Sequence, residues 1–220
     1  PMLEHVFRRA CESNARQVVI ATDDERIAVA AEGFGASVCM TGDKHVSGTE
    51  RIAEVCDLMD WGDDRIVVNL QGDEPTMPAA LINQCAALLG DGSADIATLA
   101  SPIASAEDFE NTNVVKVITD DAGNAIYFSR TPIPYARDRE HESEALAAAL
   151  HHHGIYAYRC GILRRLVNAA PSRLERCEQL EQLRALSLGM TIRVAVPDVR
   201  PGAGVDTEED LAVAAAALAN

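Results

Sequence analysis

The first half of the chain alternates short apolar runs with longer stretches of helical spacing. The short runs are rich in β-branched residues and predict buried strands at residues 17–22, 36–40 and 65–70. The longer stretches repeat apolar residues every three or four positions and predict helices at residues 2–13, 24–33, 49–59 and 79–89. Strands that alternate with helices are joined by crossovers, so this half predicts an α/β fold with a mostly parallel central sheet covered on both faces.

The second half of the chain has a different pattern. Apolar runs at residues 114–118 and 125–128 flank the turn sequence of residues 120–123, which predicts a β-hairpin rather than another crossover. Two prolines within residues 131–135 should take the chain out of the sheet, and the acidic residues 138–150 predict an exposed loop with a helical part. The other predicted elements are strands at 155–159 and 191–196, and helices at 163–168, at 174–188 and from Glu208 onward. No internal repeat or long linker divides the chain, so one domain over residues 1–220 is predicted.

Composition narrows the classes of function. The 220 residues include 34 acidic side chains and 19 Lys or Arg side chains, and the net charge of −15 argues against a nucleic-acid-binding surface. Hydrophobic residues make up 48% and aromatic residues 4%, as in soluble α/β proteins. The six cysteines form no Cys-x-x-Cys pair, which favours reduced thiols in the cytoplasm over a zinc site or a disulfide framework. No apolar run is long enough to cross a bilayer, so no membrane partner is expected.

Two acidic turns are candidates for a cation site. Asp73 directly follows the strand at residues 65–70, and ligands of open α/β sheets bind beyond the carboxyl ends of strands. Asp206 follows a glycine-bearing turn and precedes the last helix. If the two turns converge, their carboxylates supply two of the oxygen ligands that Mg²⁺ accepts beside water and substrate phosphates. The alternatives are a polar turn at the strand end for Asp73 and helix capping around Asp206.

A third candidate site lies at the N-terminus of the helix predicted at residues 49–59. Ser47, Gly48 and Thr49 present backbone donors and small hydroxyls at its N-terminus, and Arg51 lies in the first turn. This arrangement suits the edge of a nucleobase or a phosphate. It also suits an ordinary N-cap beside a solvated arginine.

The second half of the chain supplies basic and amphipathic candidates. The planar guanidinium of Arg130 suits a substrate carboxylate, and a strand-end arginine in solvent fits this string equally well. The three histidines at 151–153 alternate faces along a strand, so they cannot all bind one metal ion. In the helix at 174–188, Glu175, Glu178 and Gln182 share one face, which is typical of a solvated surface.

Eight strings, taken together, resemble one family. They span nearly the whole chain in the family's order: ATDDE (21–25), HVSGTER (45–51), VNLQGDEP (68–75), NVVKV (113–117), YFSRTP (127–132), GIYAYR (154–159), LEQLR (180–184) and GVDTEEDL (204–211). The family that these strings resemble is that of the 3-deoxy-manno-octulosonate (Kdo) cytidylyltransferases, the CMP-Kdo synthetases of Gram-negative bacteria.

The resemblance implies a Rossmann-like three-layer nucleotidyltransferase fold with a small β-rich insertion for dimerisation and sugar binding. It implies transfer of a cytidylyl group from CTP to the anomeric hydroxyl of Kdo, with release of pyrophosphate, by a cytoplasmic homodimer that serves lipopolysaccharide biosynthesis. The same resemblance assigns site residues in three groups: Asp73 and Asp206 to Mg²⁺ and catalysis; Ser47, Gly48, Thr49, Arg51 and Gln71 to the cytidine nucleotide; Arg130, His152, Tyr156, Glu181 and Gln182 to the sugar acid.

Two features depart from the family pattern. The family opens with a strand and an arginine- and glycine-bearing loop around the triphosphate, and Pro1 lies after that motif. We therefore expect a polypeptide that begins at Pro1 to lack the central strand and most of the catalysis. His151 and His153 stand where the family usually has an arginine and an aliphatic residue, so the residues around His152 on the sugar side differ from the family pattern.

Two rival functions stay open on the sequence alone. One is a cytidylyltransferase for a related acid sugar, either 8-amino-Kdo or a sialic acid, although sialic-acid enzymes carry a different string at residues 71–75. The other is a non-catalytic nucleotide-binding fragment, which the absence of the triphosphate loop favours.

Overall fold

A computed structural model describes residues 1–199, 201–202, 204–205 and 207–218 of the chain. The strands are β1 (Val19–Thr22), β2 (Ser37–Met40), β3 (Ile66–Asn69), β4 (Ile96–Pro102), β5 (Lys116–Thr119), β6 (Ala125–Ser129), β7 (Leu150–Arg159) and β8 (Ile192–Ala195). The helices are α1 (Met2–Cys11), α2 (Glu25–Gly33), α3 (Gly48–Leu58), α4 (Ala79–Ala87), α5 (Ala106–Glu110), α6 (Glu142–Ala148), α7 (Cys160–Val167), α8 (Arg173–Glu178), α9 (Gln182–Ser187) and α10 (Glu208–Leu218). A short 3-10 helix at Arg139–His141 precedes α6.

The larger sheet is organised around β7. Its strand order is β6-β5-β7-β4-β8, and β3 also pairs with β7, while β1 and β2 form a separate parallel pair. One edge of β7 pairs with β4 along its length, and the other edge pairs with β5 near Leu150 and with β3 near Arg159. These three neighbours run antiparallel to β7, whereas β4 and β8 are parallel. The α/β class with a central sheet is confirmed. The sheet that the sequence predicts to be mostly parallel is mixed, because its central strand, β7, runs antiparallel to its three neighbours.

The hairpin of the second half is confirmed, and four other elements differ from the prediction. β5 and β6 pair antiparallel across the predicted turn. β4 and α5 were not predicted. β4 combines Ile96, Thr98 and Leu99 with two alanines, and pairing with β7 and β8 stabilises the strand. β7 begins at Leu150 rather than at residue 155. The single helix expected at 174–188 is wrong, because Gln179 adopts the left-handed conformation with φ 53° and separates α8 from α9.

The hydrophobic core lies on both faces of the larger sheet. Alternate residues of β4 enter two different clusters, with Ile96 and Ala100 in one and Ala97 and Leu99 in the other. Residues of α7 and α9 fill the first cluster, and α4 covers the second. Within the described ranges, no helix combines the length and apolarity needed to span a membrane.

Lys116 is a buried charge that joins the hairpin to its surroundings. Its side chain is fully buried, and Nζ donates to the carbonyl oxygens of Asn111 at 2.9 Å and Arg130 at 2.5 Å. Burial lowers the pKa of the ammonium, and the nearby carboxylates of Glu110 and Glu178 act in the opposite direction. The lysine therefore satisfies one backbone acceptor just after α5 and another just after β6, where the chain leaves the sheet.

We predict that Lys116→Met lowers the free energy of unfolding by about 2–4 kcal/mol, because two carbonyl oxygens lose their donor inside the protein. Urea unfolding followed by circular dichroism measures the change. Lys44→Met is the matched control, since Lys44 is exposed and its replacement should leave stability within about 0.5 kcal/mol of the parent. Equal effects of the two substitutions would contradict the role given to Lys116.

Candidate active site

A cavity of about 240 Å³ opens where β3 ends, α3 begins and β7 passes the turn between α8 and α9. Residues from each of these elements share its wall: Gly48, Thr49, Asn69, Gln71, Ile96, Val115, His152, Gly154, Tyr156, Tyr158, Leu166, Leu180, Glu181 and Gln182. Strands deliver Asn69, His152 and Tyr156, and rigid elements of this kind hold side chains more precisely than loops do. The wall combines apolar area with a few convergent polar groups, which is the usual composition of a small-molecule site.

The N-terminus of α3 is joined to the α8–α9 turn through one carboxylate. Ser47 caps the helix by accepting a hydrogen bond from the backbone N–H of Glu50 at 3.2 Å. The hydroxyls of Ser47 and Thr49 then donate to Glu181, at 3.2 Å and 2.7 Å. A carboxylate at a helix N-terminus is also favoured by the helix dipole. Glu181 thus connects residues that the sequence assigns to the nucleotide with residues that it assigns to the sugar.

Gly48 lets the end of β3 approach α3 closely. A Cβ atom at Gly48 would lie 3.4 Å from Gln71 Nε2 and 3.7 Å from Asn69 Nδ2. The two amide side chains therefore lie beside the helix start, within van der Waals distance of a Cβ at this position. Amides both donate and accept hydrogen bonds, so this corner of the cavity can bind the edge of a planar group that carries both donors and acceptors.

Three aromatic rings form one wall of the cavity along β7. His152 and Tyr156 have ring centroids 5.2 Å apart, and Tyr156 stacks on Tyr158 at 5.8 Å. Four residues of a regular strand would span about 13 Å, so the first contact depends on an irregularity. The pairing supplies it, because Thr98 faces Tyr156 while Leu99 faces His153, which leaves two extra residues on β7.

The titratable groups of this wall are neutral at physiological pH. Burial, followed by the neighbouring His153 and His151, lowers the pKa of His152 to about 3. Burial also raises the pKa of Tyr156 and of Tyr158. The wall therefore offers phenol and imidazole hydrogen-bonding groups without a net charge of its own.

The turn between α8 and α9 is clamped from one side by Arg130 and Glu178. The Glu178 carboxylate accepts from the Ser129 hydroxyl at 2.7 Å and from the Arg130 backbone N–H at 2.9 Å. The Arg130 guanidinium in turn donates to the backbone oxygens of Glu178, Gln179 and Thr112. These bonds hold the left-handed Gln179 and so place the following residue pair, Glu181 and Gln182, at the cavity.

A buried ion pair clamps the same turn from the other side. Arg184 is 5% exposed and forms a two-pronged contact with the carboxylate of Glu175. Burial alone would raise the pKa of Glu175, but the hydrogen bond from Arg184 outweighs it and the pKa is lowered. Arg184 also lies 4.0 Å from Glu181 Oε1, so its charge offsets part of that carboxylate's charge. The pattern predicts a solvated face for Glu175 and Glu178. Both residues are instead half-buried, and their carboxylates hold the turn in place.

The first acidic turn lies next to the described part of the second. The backbone N–H of Val205 donates to the Asp73 carbonyl at 2.9 Å, and Gly204 packs against Glu74. Asp206 itself lies outside the described residues. Within the described ranges, no group of three or more His, Cys, Asp or Glu side chains is arranged to hold a metal ion. Asp73 is half-buried in the turn that follows β3, and its role as a metal ligand remains a prediction from the sequence.

The structure brings together most of the residues that the sequence singles out. The cavity wall contains Gly48, Thr49, Gln71, His152, Tyr156, Glu181 and Gln182, and Ser47 contacts it through Glu181. Two arginines do not line it. Arg51 donates to the Thr41 hydroxyl at 2.6 Å and pairs with Asp23 at 3.3 Å, and Arg130 is bound to the α8 carbonyls. The roles given to these residues remain predictions from the sequence.

Three polar residues at the site were missed from the sequence: Asn69, Thr98 and Tyr158. Asn69 and Tyr158 line the cavity, and the pKa of Tyr158 also reflects a hydrogen bond with Thr49. All three are polar side chains in otherwise apolar strands and are at least 95% buried. That pattern is the signal that would have found Asn69, because a buried polar group needs a partner or a ligand.

Comparisons with known proteins agree on one family. A family model described as cytidylyltransferase matches residues 1–192. The 3-deoxy-manno-octulosonate cytidylyltransferase of Yersinia enterocolitica serotype O:8 / biotype 1B is 51% identical over 213 residues, which are 96% of this chain and 85% of the relative. The protein of the same name from Aliivibrio salmonicida is 51% identical over 221 residues, covering 100% of this chain and 89% of its own.

Two solved structures are similar in fold. A CMP:2-keto-3-deoxy-manno-octonic acid synthetase complexed with CTP superposes with a TM-score of 0.91 at 38% identity, covering 100% of this chain and 88% of its own. A 4-diphosphocytidyl-2C-methyl-D-erythritol synthase superposes with a TM-score of 0.62 at 15% identity, covering 99% and 90%, and shows the fold alone.

The neutral state of His152 predicts a pH dependence of stability. The unfolded histidine titrates near 6.5 and the folded one at about 3, so the unfolded chain binds more protons between these values. The contribution is constant above about pH 6.5 and is lost as the pH falls towards 3, by at most about 1.4 kcal/mol per pH unit. We expect the unfolding free energy of the parent, minus that of His152→Gln, to fall over this window. A difference that does not change with pH would contradict the assignment.

Proposed function

The chain belongs to the cytidylyltransferase family, and from that premise we propose that it transfers the cytidylyl group of CTP to the anomeric hydroxyl of Kdo and releases pyrophosphate. Two curated relatives that share half of its residues over nearly its full length carry this activity in their name. The observation that carries the proposal is the cavity itself, whose wall contains both the nucleotide-side and the sugar-side residues of the chain. Two reactants bound side by side react with the advantage of proximity.

The nucleotide side is formed by the start of α3 and the end of β3. Gly48 leaves room for a base edge beside the amide of Gln71, and that amide can donate to and accept from cytosine. The hydroxyls of Ser47 and Thr49 donate to Glu181, so what they offer to the nucleotide is their oxygen lone pairs. Arg51, held by Asp23 and Thr41, lies behind this corner and contributes positive charge to it.

The sugar side is formed by β7 and the α8–α9 turn. Tyr156 and Gln182 supply hydrogen-bond donors, and Glu181 and His152 supply acceptors, which together match the hydroxyls of a polyhydroxylated acid. We assign the sugar carboxylate to the Arg130 N–H groups that the carbonyls of Glu178, Gln179 and Thr112 leave over. The burial of this side excludes water that would compete with the sugar for the activated phosphorus.

The residues present fit a divalent cation. Asp73 and Asp206 would hold Mg²⁺, and the contact of Val205 with Asp73 brings the two acidic turns together along the backbone. When bound, Mg²⁺ neutralises charge on the phosphate oxygens and lowers the pKa of the attacking hydroxyl. The chain carries a net charge of −15, so two anionic substrates need such local compensation.

The setting of the reaction follows from the substrates and the family. We propose that the protein works in the cytoplasm, where CTP is made and where its cysteines, all free thiols, remain reduced. We further propose that its product supplies lipopolysaccharide biosynthesis and that it acts as a homodimer, both of which rest on the family resemblance.

The activity is tested by pyrophosphate release from CTP, Kdo and Mg²⁺ with the complete gene product. We predict that Asp73→Asn and Asp206→Asn each lower kcat by about 100-fold, because each removes a carboxylate ligand of the Mg²⁺ that would balance the charge of the phosphates. Asp64→Asn is the matched control, since this exposed residue lies at the opposite end of β3 and should leave kcat unchanged. Full turnover in both Asp73 and Asp206 variants would exclude the cation site, and absence of CMP-Kdo from the parent would exclude the function.

The nucleotide corner is tested by Gly48→Ala. The added Cβ would occupy the space beside Gln71 that the proposal gives to the base edge, so we predict that KM for CTP rises about fivefold, roughly 1 kcal/mol, while KM for Kdo stays the same. Gly62→Ala is the control, because a Cβ there meets nothing within 4 Å. A selective rise in KM for Kdo would place the nucleotide elsewhere.

A further inference from the structure

Thr98 lies opposite the irregular part of β7 and is fully buried. Its hydroxyl is 2.8 Å from the carbonyl oxygen of Ile155, 3.2 Å from that of His153 and 3.0 Å from His152 Nε2. The two carbonyls belong to the segment of β7 whose extra residues interrupt the pairing with β4. The hydroxyl is therefore within hydrogen-bonding distance of both the bulged backbone and the histidine ring.

The single hydrogen of the Thr98 hydroxyl determines which nitrogen of His152 carries the ring proton. A threonine hydroxyl has one hydrogen to donate, and carbonyl oxygens can only accept. The shortest contact, to Ile155, takes that hydrogen, so the hydroxyl can meet His152 only as an acceptor. Nε2 must then carry the ring proton. The opposite arrangement would withdraw the donor from two buried carbonyls, which is costly.

The other ring nitrogen is left as an acceptor. His152 is neutral because its pKa is lowered to about 3, so a proton on Nε2 leaves Nδ1 with a lone pair. Within the described part of the chain, Nδ1 has no hydrogen-bond partner, and the ring lines the cavity. Edge contact with Phe128 at 5.1 Å and contact with Tyr156 hold the ring in place.

We propose that Thr98 is a positioning residue that fixes the proton of His152 on Nε2, so that Nδ1 accepts a hydrogen bond from a hydroxyl of the sugar. This inference rests on the proposed function for the identity of the substrate. An acceptor-only nitrogen repels a carboxylate, so His152 selects a hydroxyl, and the acid group must be bound elsewhere in the site. The pair resembles His153 and Ser101, whose Nε2 and Oγ are 3.1 Å apart, but neither of those residues lines the cavity.

The first experiment reads the tautomer directly in the parent protein. ¹⁵N NMR of histidine-labelled protein, with the His152 signals assigned by their loss in His152→Gln, should show a protonated Nε2 and an unprotonated Nδ1. Saturation with Kdo should then shift the Nδ1 resonance. A proton on Nδ1, or an Nδ1 signal that Kdo does not move, would overturn the proposal. The tautomer is read without turnover, so its result is separate from that of the activity assay.

The second experiment removes and restores the hydroxyl. Thr98→Val should give a mixture of tautomers and raise KM for Kdo about tenfold, the loss expected for one hydrogen bond, with kcat and KM for CTP little changed. Thr98→Ser keeps the hydroxyl and should restore both the tautomer and KM. Ser101→Ala is the matched control, since it removes the equivalent hydroxyl from His153 and should change neither.

Three results of the second experiment would overturn the proposal. The first is an unchanged tautomer in Thr98→Val, and the second is an equal rise in the KM values of both substrates. The third is a Ser101→Ala variant that behaves like Thr98→Val. If Thr98→Val does not fold, the tautomer and the Kdo titration of the parent decide the question.

Discussion

The site depends on the position of one carboxylate, that of Glu181. It accepts hydrogen bonds from two hydroxyls at the start of α3, and it belongs to a turn that has no regular secondary structure to hold it. Two arginines supply that support from either side, Arg130 through backbone carbonyls and Arg184 through its ion pair with Glu175. A buried pair such as the second is costly to break, because removal of one partner leaves an uncompensated charge. The contact between the start of α3 and the α8–α9 turn is therefore supported by the core.

Much of the fold follows from periodicity alone, and the exceptions have a common cause. The strands and helices of the first half and the hairpin carry local signals of spacing and turn chemistry, and these were confirmed. β4 carries a weaker signal, since two alanines interrupt its run of Ile96, Thr98 and Leu99, and pairing along both of its edges stabilises the strand. The break at Gln179 is likewise invisible in the sequence, because contacts with Arg130, far along the chain, stabilise a left-handed residue that is not glycine.

The candidate site was predictable to the extent that its residues lie in recognisable strings. Glu181 and Gln182 were found through such a string, although their expected helix was wrong and the break is what brings them to the cavity. Thr98 belongs to none of the strings, and its role appears only when the register of β4 and β7 is known. The same register shift brings His152 against Tyr156, a contact that a regular strand would not allow. Short sequence motifs thus locate the site, whereas its hydrogen-bond pattern depends on the register between β4 and β7, strands that are distant in the sequence.

The charge of the cavity wall limits how an acidic sugar can lie in it. Among the described residues that line the cavity, Glu181 carries the only charge, and His152 and the two tyrosines are neutral. A carboxylate placed deep in this wall would face Glu181, whose charge Arg184 offsets only in part, and a buried unpaired charge is strongly disfavoured. The hydroxyls of the sugar are therefore the groups that suit the wall. Under the proposed function, its acid group is expected outside this wall, towards Arg130.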